Sequence, residues 1–330
     1  MATITVAAVG DLLMRGVIIE SARRTNRTDQ KESYAFRPIF AKVNSRLRKP
    51  DVTIGNLETT FSGKRWFAQG AGKPYKYERV SRFGNPMFNC PDALARDLKQ
   101  IGFDVLTTAN NHCMDGGPAG LKRTLRVLDR HGLRHTGTAR SPKESRRLLI
   151  VRAKGIKLGI LAYTYGTNKF SVPDPWLVNR IRDDRILADL RRMKKRTDAV
   201  LVCMHFGTEY KRTPNDRQRR LVRLLFEHGA NAVIGAHPHV LQPVTTSKIK
   251  DVDGKVRTRV AAYSLGNFVS DRLYGNVHTL SGMILTLSFR KDRSGKTDIT
   301  KVRKLRTTSK QSKANGRSVF RIVPHASSKS

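Results

Sequence analysis

Asn231-Ala-Val-Ile-Gly-Ala-His-Pro-His-Val240 is an apolar run that ends at Gly235 and then presents His237 and His239. A short apolar segment bounded by glycine reads as a buried strand, so the two histidines fall where that strand leaves its sheet. Pro238 between them cannot donate to a sheet ladder and stiffens the turn, which holds two imidazoles a residue apart. A metal site needs that placement, although a polar turn whose histidines cap backbone groups would read the same way. The rest of the chain decides between the two, because the arrangement recurs.

Residues 3–9 form a β-branched, apolar run closed by Gly10 and Asp11, and residues 51–57 form another that delivers Glu58. Residues 103–108 open into a turn where Asn110, Asn111, His112 and Asp115 crowd together. Residues 197–204 end at His205-Phe-Gly-Thr-Glu209, and residues 260–265 end at Gly266-Asn267. Taken singly, an Asp after a strand is more often a helix cap, Asx residues stabilise turns, and a strand-end histidine packs. Between the runs, apolar spacing predicts helices over 34–47, 91–101, 119–131, 180–196 and 216–228. Residues 148–151 and 157–163 predict a hairpin turning at Lys154-Gly155, and 168–179, with three prolines, predicts loop. Strands alternating with helices predict a layered α/β domain.

Open α/β sheets place their sites at the C-terminal ends of strands. Asp11, Glu58, Asn111, His205, His237 and His239 all fall at such ends, each after an apolar run. A donor set of oxygen and nitrogen without thiolate suits Mn, Zn, Fe or Ni, with one or two divalent metal ions per chain. An ion so held polarises substrate oxygens and acidifies water, the chemistry of phosphoryl or acyl hydrolysis and transfer. His112 can move protons near neutral pH with Asp115 beside it, and the pair are the expected catalytic residues. Arg15, Asn110, Glu209 and Asn267 flank the same strand ends and are the expected substrate contacts.

The 330 residues are 38% hydrophobic, enough for a large core. Lys and Arg number 64 against 26 Asp and Glu, a formal net charge of +38 that attracts polyanions. Nucleic acid, an anionic membrane surface, a phosphorylated substrate and an anionic polymer all qualify as partners, and a general basic bias would give the same composition. Residues 61–89 have no clear period and read as a basic loop insertion, with Lys64, Arg65, Lys73, Lys76, Arg79 and Arg82 interleaved with Trp66, Phe67, Tyr75 and Tyr77. Cys90, Cys113 and Cys203 are too few and too scattered for a disulfide framework, which fits a reducing interior. The N-terminus lacks a charged region followed by a long apolar one, and no apolar run reaches membrane-spanning length. A soluble, cytoplasmic chain, at most peripheral to a membrane, is expected.

Gly10-Asp11, Gly55-Asn-Leu-Glu58, Ala109-Asn-Asn-His112 with Asp115, His205-Phe-Gly-Thr-Glu209, Gly235-Ala-His-Pro-His239 and Tyr263-Ser-Leu-Gly-Asn-Phe268 together resemble the poly-γ-glutamate capsule synthesis CapA family. That family is similar to calcineurin-like metallophosphoesterases. The resemblance implies a four-layered α/β/β/α sandwich over residues 1–290 and membrane-bound capsule-synthesis partners, while residues 291–330, basic turns alternating with short β-prone pieces, read as a basic C-terminal extension. It also implies that Asp11, Glu58, Asn111, His205, His237 and His239 are ligands and that His112 is the general acid. The chain departs from the wider phosphoesterase pattern at the first motif, where Asp11-Leu-Leu13 replaces Asp-x-His, and Glu58 stands in place of an aspartate. A metal-dependent enzyme acting on an anionic polymer is the leading expectation. A non-catalytic polyanion-binding assembly protein, or a nuclease or nucleotidase, is the alternative.

Overall fold

The apolar runs become strands because they are buried on both faces. Every residue of Val52–Leu57, Ala199–His205 and Ala232–Ala236 is buried, as central strands covered on each side must be. The computed structural model describes residues 1–25, 32–63, 78–250, 254–314 and 316–325. The expected loop residues Lys64, Arg65, Trp66, Phe67, Lys73, Tyr75, Lys76 and Tyr77 lie outside the described residues. Of the same stretch, Glu78–Val80 pairs antiparallel with Pro86–Phe88.

In chain order the strands of the two large sheets are β1 (Ala2–Leu12), β2 (Val52–Leu57), β3 (Val105–Thr107), β4 (Arg134–Thr136), β5 (Leu149–Ala153), β6 (Ile156–Thr164), β7 (Ala199–His205), β8 (Ala232–Ala236), β9 (Val244–Lys250), β10 (Val256–Ala262), β11 (Asn267–Val269), β12 (Ser281–Lys291), β13 (Thr297–Ala314) and β14 (Arg317–Pro324). The first sheet has the order β14-β13-β12-β1-β2-β3-β4, with β11 also pairing to β1. The second runs β9-β10-β8-β7-β6-β5. Within them β1 to β4 are mutually parallel, as are β6, β7, β8 and β10.

Ile4, Val6, Ile54 and Val105 from the first sheet pack between the sheets against Ile160, Leu201 and Ile234 from the second. On the outer face of the first sheet lie helices α1 (Ala93–Ile101) and α2 (Gly117–Arg130), burying Leu94, Leu98, Leu121 and Leu125. On the outer face of the second lie α3 (Asp183–Lys194) and α4 (Asp216–Glu227), burying Ile186, Leu190, Leu221 and Leu225. The result is the expected four-layered α/β/β/α sandwich.

Two local readings differ from the expected ones. The helix expected over 34–47 is interrupted between Arg37–Phe40 and Asn44–Arg48, where Val43 takes φ −117°. Its apolar period still holds, since Phe36, Ile39, Phe40, Val43 and Leu47 are all buried. The C-terminal stretch forms the strands β13 and β14, hydrogen-bonded in series to β12. Ile299 joins the core between the sheets, and Phe320 and Ile322 join the helix-covered core. Lys301, Arg303, Lys304 and Arg306 are exposed on β13, and that run of charge resembled a turn in sequence. The strand β9, Val-Thr-Thr-Ser-Lys-Ile-Lys, escaped notice for the same reason.

Two glycines let strands cross closely beside the site. A Cβ on Gly235 would stand 2.0 Å from the carbonyl oxygen of Tyr263, and one on Gly10 would stand 1.8 Å from that of Gly266. Both neighbours are backbone, so neither clash is relieved by a rotamer change. Gly235→Ala is therefore expected to lower stability by about 1–3 kcal/mol, measured as a shift of the denaturant midpoint. An unchanged midpoint would show that the crossing is looser than described.

Candidate metal centre

The C-terminal ends of the parallel strands in the two sheets converge, and they bring the expected ligands together. Asp11, at the end of β1, accepts a hydrogen bond from Asn56 Nδ2 at 2.8 Å and one from the His237 backbone N–H at 3.3 Å. Its Oδ2 lies 3.2 Å from His239 Nδ1. Glu58, just past β2, places Oε1 3.7 Å from both His205 Nε2 and His239 Nε2. His205 Nε2 lies 2.8 Å from Asn111 Oδ1. Asp11, Glu58 and His239 form one group with donor atoms within 4.8 Å of one another, and Glu209, His237 and His239 form a second that shares His239.

The turn that carries the histidine pair is strained. His237 has φ +100° and His239 φ +59°, on either side of Pro238. Non-glycine residues rarely hold such angles, and they persist where the surroundings over-determine them, typically at functional sites. Here the His237 N–H is fixed by Asp11, and His239 Nδ1 lies 3.0 Å from Asn267 Oδ1 as well as beside Asp11. With Nδ1–H directed at those oxygens, Nε2 of His239 is left as the donor atom.

Both oxygens of Glu58 and Nδ1 of His237 are buried without a hydrogen-bond partner. An isolated buried carboxylate is costly unless a cation or a proton compensates it. The residues therefore fit a divalent cation, which would use those orphaned atoms. Burial pushes Glu58 well above the ordinary carboxylate range, and Asp11 and Glu209 push it the same way. Burial also acts to raise Asp11, but its contacts with His239 and Asn56 outweigh it and hold the group below its ordinary value. Burial holds His205 well below the usual imidazole range, with repulsion from His237 and His239 adding to it. His237 falls to about 3, through burial first and His239 second. For His239, burial acts downward, but the Asp11 hydrogen bond outweighs it and the net shift is upward.

A second cluster adjoins the first. His112 Nδ1 lies 2.8 Å from Asp115 Oδ2, which also accepts the Phe88 N–H at 2.6 Å. Burial raises Asp115 against the opposing pull of His112. Asn110 accepts the His112 N–H at 3.1 Å and donates to the Leu57 carbonyl at 2.8 Å. Asn267 Nδ2 donates to the Thr279 carbonyl at 2.9 Å. Asn110 and Asn267, both buried, thus orient His112 and His239, Glu209 stands with His237 and His239, and Arg15 pairs with Asp271 at 3.6 Å.

Sequence reasoning passed over Asn56, whose Nδ2 bridges Asp11 and, at 3.3 Å, His205 Nδ1. The Gly55-Asn-Leu-Glu58 motif contained it. It also passed over Tyr165 and Asn168, just past β6. The Tyr165 ring lies 4.4 Å from that of His237, and Asn168 Nδ2 lies 3.4 Å from His112 Nε2. The signal was a further strand end, Thr164-Tyr-Gly-Thr-Asn168, similar to His205-Phe-Gly-Thr-Glu209.

The family model described as "Bacterial capsule synthesis protein PGA_cap" matches residues 5–272, a span that contains every residue of the centre. The chain is similar to the PGA biosynthesis protein CapA of Bacillus subtilis (strain 168), with 29% identity over 297 residues, covering 89% of this chain and 70% of that protein. It is similar to the capsule biosynthesis protein CapA of Bacillus anthracis, with 25% identity over 277 residues, covering 82% of this chain and 60% of that one. Among solved structures, the NAD nucleotidase of Haemophilus influenzae aligns over 96% of this chain and 59% of its own, with a TM-score of 0.51 and 13% identity, a likeness of fold.

Burial shifts the Glu58 carboxyl upward and the Asp11 contact shifts the His239 imidazole upward, so a cation entering beside them competes with protons. Mn²⁺ binding is expected to release protons and to strengthen as pH rises. Calorimetry in two buffers of different ionisation enthalpy measures the release. Glu58→Gln should reduce it, and binding with no proton exchange in the unmodified chain would contradict this electrostatic account.

Proposed function

Because the chain belongs to the bacterial capsule synthesis protein PGA_cap family, we propose that it is a metal-dependent enzyme that hydrolyses or transfers a phosphoryl or acyl group of a capsule-type anionic polymer or its building blocks. The observation that carries this reading is the Glu58 carboxylate, buried with both oxygens unpartnered beside His205 and His239.

Asp11, Glu58, Asn111, His205, His237 and His239 would hold a divalent metal ion, with Glu209 as a further carboxylate beside the histidine pair. An ion held there supplies Lewis acidity toward a phosphoryl or acyl oxygen and toward water. His112 donates the proton to the leaving group. Asp115 fixes its Nδ1–H and stabilises the charged ring, so Nε2 is the nitrogen that exchanges the proton. Asn168, beside Nε2, orients the group that receives it. Tyr165 covers the His205 and His237 rings and shields their donor atoms from bulk water. The anionic substrate is drawn by the positive field of a chain with a net charge of +38, and membrane-bound capsule-synthesis proteins are its natural partners in this role.

One observation favours a second reading, a polyanion-binding assembly protein on the same scaffold. Leu13 is buried in an apolar cluster with Phe88 and Leu273, where the phosphoesterase pattern carries a histidine. Turnover of a generic phosphodiester and of a γ-glutamyl polymer with Mn²⁺, before and after chelation, separates the two. The enzymatic reading predicts chelator-sensitive turnover that disappears in His237→Ala while the chain still unfolds in one cooperative transition, and that falls about 10²–10⁴-fold in His112→Ala. Turnover untouched by His237→Ala would sink it. Polyanion affinity that falls steeply with salt and ignores chelator, without turnover, would establish the second reading.

A further inference from the structure

A cleft of about 790 Å³ lies outside the metal centre, between the β12–β13 face of the first sheet and the loops that follow Glu209 and His239. Its size is that of a ligand site rather than of a packing defect. Arg212, Lys304 and Arg306 line it with permanent positive charge, and His278 and His325 add two imidazoles. All five are exposed. No Asp or Glu is among its lining residues, and no salt bridge holds Arg212, Lys304 or Arg306 among the described residues. The floor is aliphatic, formed by Leu241, Val244, Met283 and Leu305.

The loops at this cleft are those of the centre. Arg212 follows Glu209 by three residues, and Leu241 follows His239 by two. Gln242 ties them together, donating to the carbonyls of Lys211 at 2.8 Å and Thr213 at 3.2 Å. A chain lying in the cleft therefore runs alongside the candidate centre without occupying it.

We infer that this cleft is a second binding site, for a flexible polycarboxylate chain whose carboxylates are separated by aliphatic spacers. Charge complementarity selects an anion, since permanent cations converge on the cleft with no acid to oppose them. The floor selects the class of anion. Single-stranded nucleic acid draws much of its affinity from bases stacked on aromatic rings, and the cleft has no Phe, Tyr or Trp. Methylene spacers lying on Leu241, Val244, Met283 and Leu305 bury apolar surface while the carboxylates reach the rim cations. The inference rests on the capsule-polymer reading only for the source of such a chain.

The test is anisotropy of a fluorescently labelled γ-linked glutamate oligomer, with chelator present so that the metal centre does not contribute. The triple variant Arg212→Ala, Lys304→Ala, Arg306→Ala is compared with Arg191→Ala, Lys195→Ala, Arg196→Ala, which removes the same charge from exposed positions in and after α3. The cleft triple should bind about tenfold more weakly or worse, with a shallower salt dependence, while the α3 triple stays within about threefold of the unmodified chain. Equal weakening in both triples would overturn the inference, because the attraction would then belong to the whole surface. So would an oligonucleotide of matched charge that binds more tightly with the same dependence on the cleft. If cleft binding persists while no variant or metal gives turnover, the enzymatic reading fails alone. If turnover persists while the cleft triple binds normally, this inference fails alone.

Discussion

The structure turns on a carboxylate that has been taken out of water without being given a hydrogen bond. Glu58 is fully buried, both of its oxygens lack a partner, and the imidazole nitrogens of His205 and His239 stand 3.7 Å away. That distance is too long for a hydrogen bond. Left charged and uncompensated, such a group would cost several kcal/mol. A proton or a cation must neutralise it, and of the two histidines held neutral by burial and mutual repulsion, His205 and His237, the second keeps a buried Nδ1 with no hydrogen-bond partner, open to a cation.

The fold exists around that cluster in a specific sense. Parallel strands from two sheets end at the same place, and the close strand crossings at Gly10 and Gly235 bring Asp11 and the His237–His239 turn within reach of each other. Three asparagines then set the donor atoms. Asn56 holds Asp11, Asn111 faces His205, and Asn267 faces His239. The positive φ angles of His237 and His239 are maintained by these contacts and by Pro238, so the cost of strain is concentrated where the side chains are needed.

Most of this was legible in the sequence because fully buried parallel strands leave an unmistakable trace: a short apolar run, a glycine, then a polar residue. Asp11, Glu58, His205, His237 and His239 were each found that way, and the Lys154-Gly155 hairpin turn was read from the same grammar, with φ of +44° and +78° at those two residues. What escaped was encoded in three dimensions. Asn56 looks like one more polar residue within a buried strand, and only the approach of β2 to β1 and β7 gives its amide two partners. The strands β9 and β13 carry lysines and arginines on an exposed face, so their charge hid an alternation that the sheet register makes plain. The basic cleft depends on joining residues near 212, 243 and 305, which no local pattern could bring together.

The charge and the centre are two parts of one account. A positive surface gathers anionic chains without choosing among them, whereas the buried cluster fixes where chemistry is possible. The central claim is that the cluster holds a divalent cation, and the most direct measurement is elemental analysis of the purified chain coupled to thermal melting with and without chelator. The account predicts about one or two Mn, Zn, Fe or Ni ions per chain, with a melting midpoint that falls on chelation and recovers on reconstitution, since an ion that binds only the folded state stabilises it. A chain that carries no such ion, takes none up on reconstitution and melts at the same temperature throughout would contradict it.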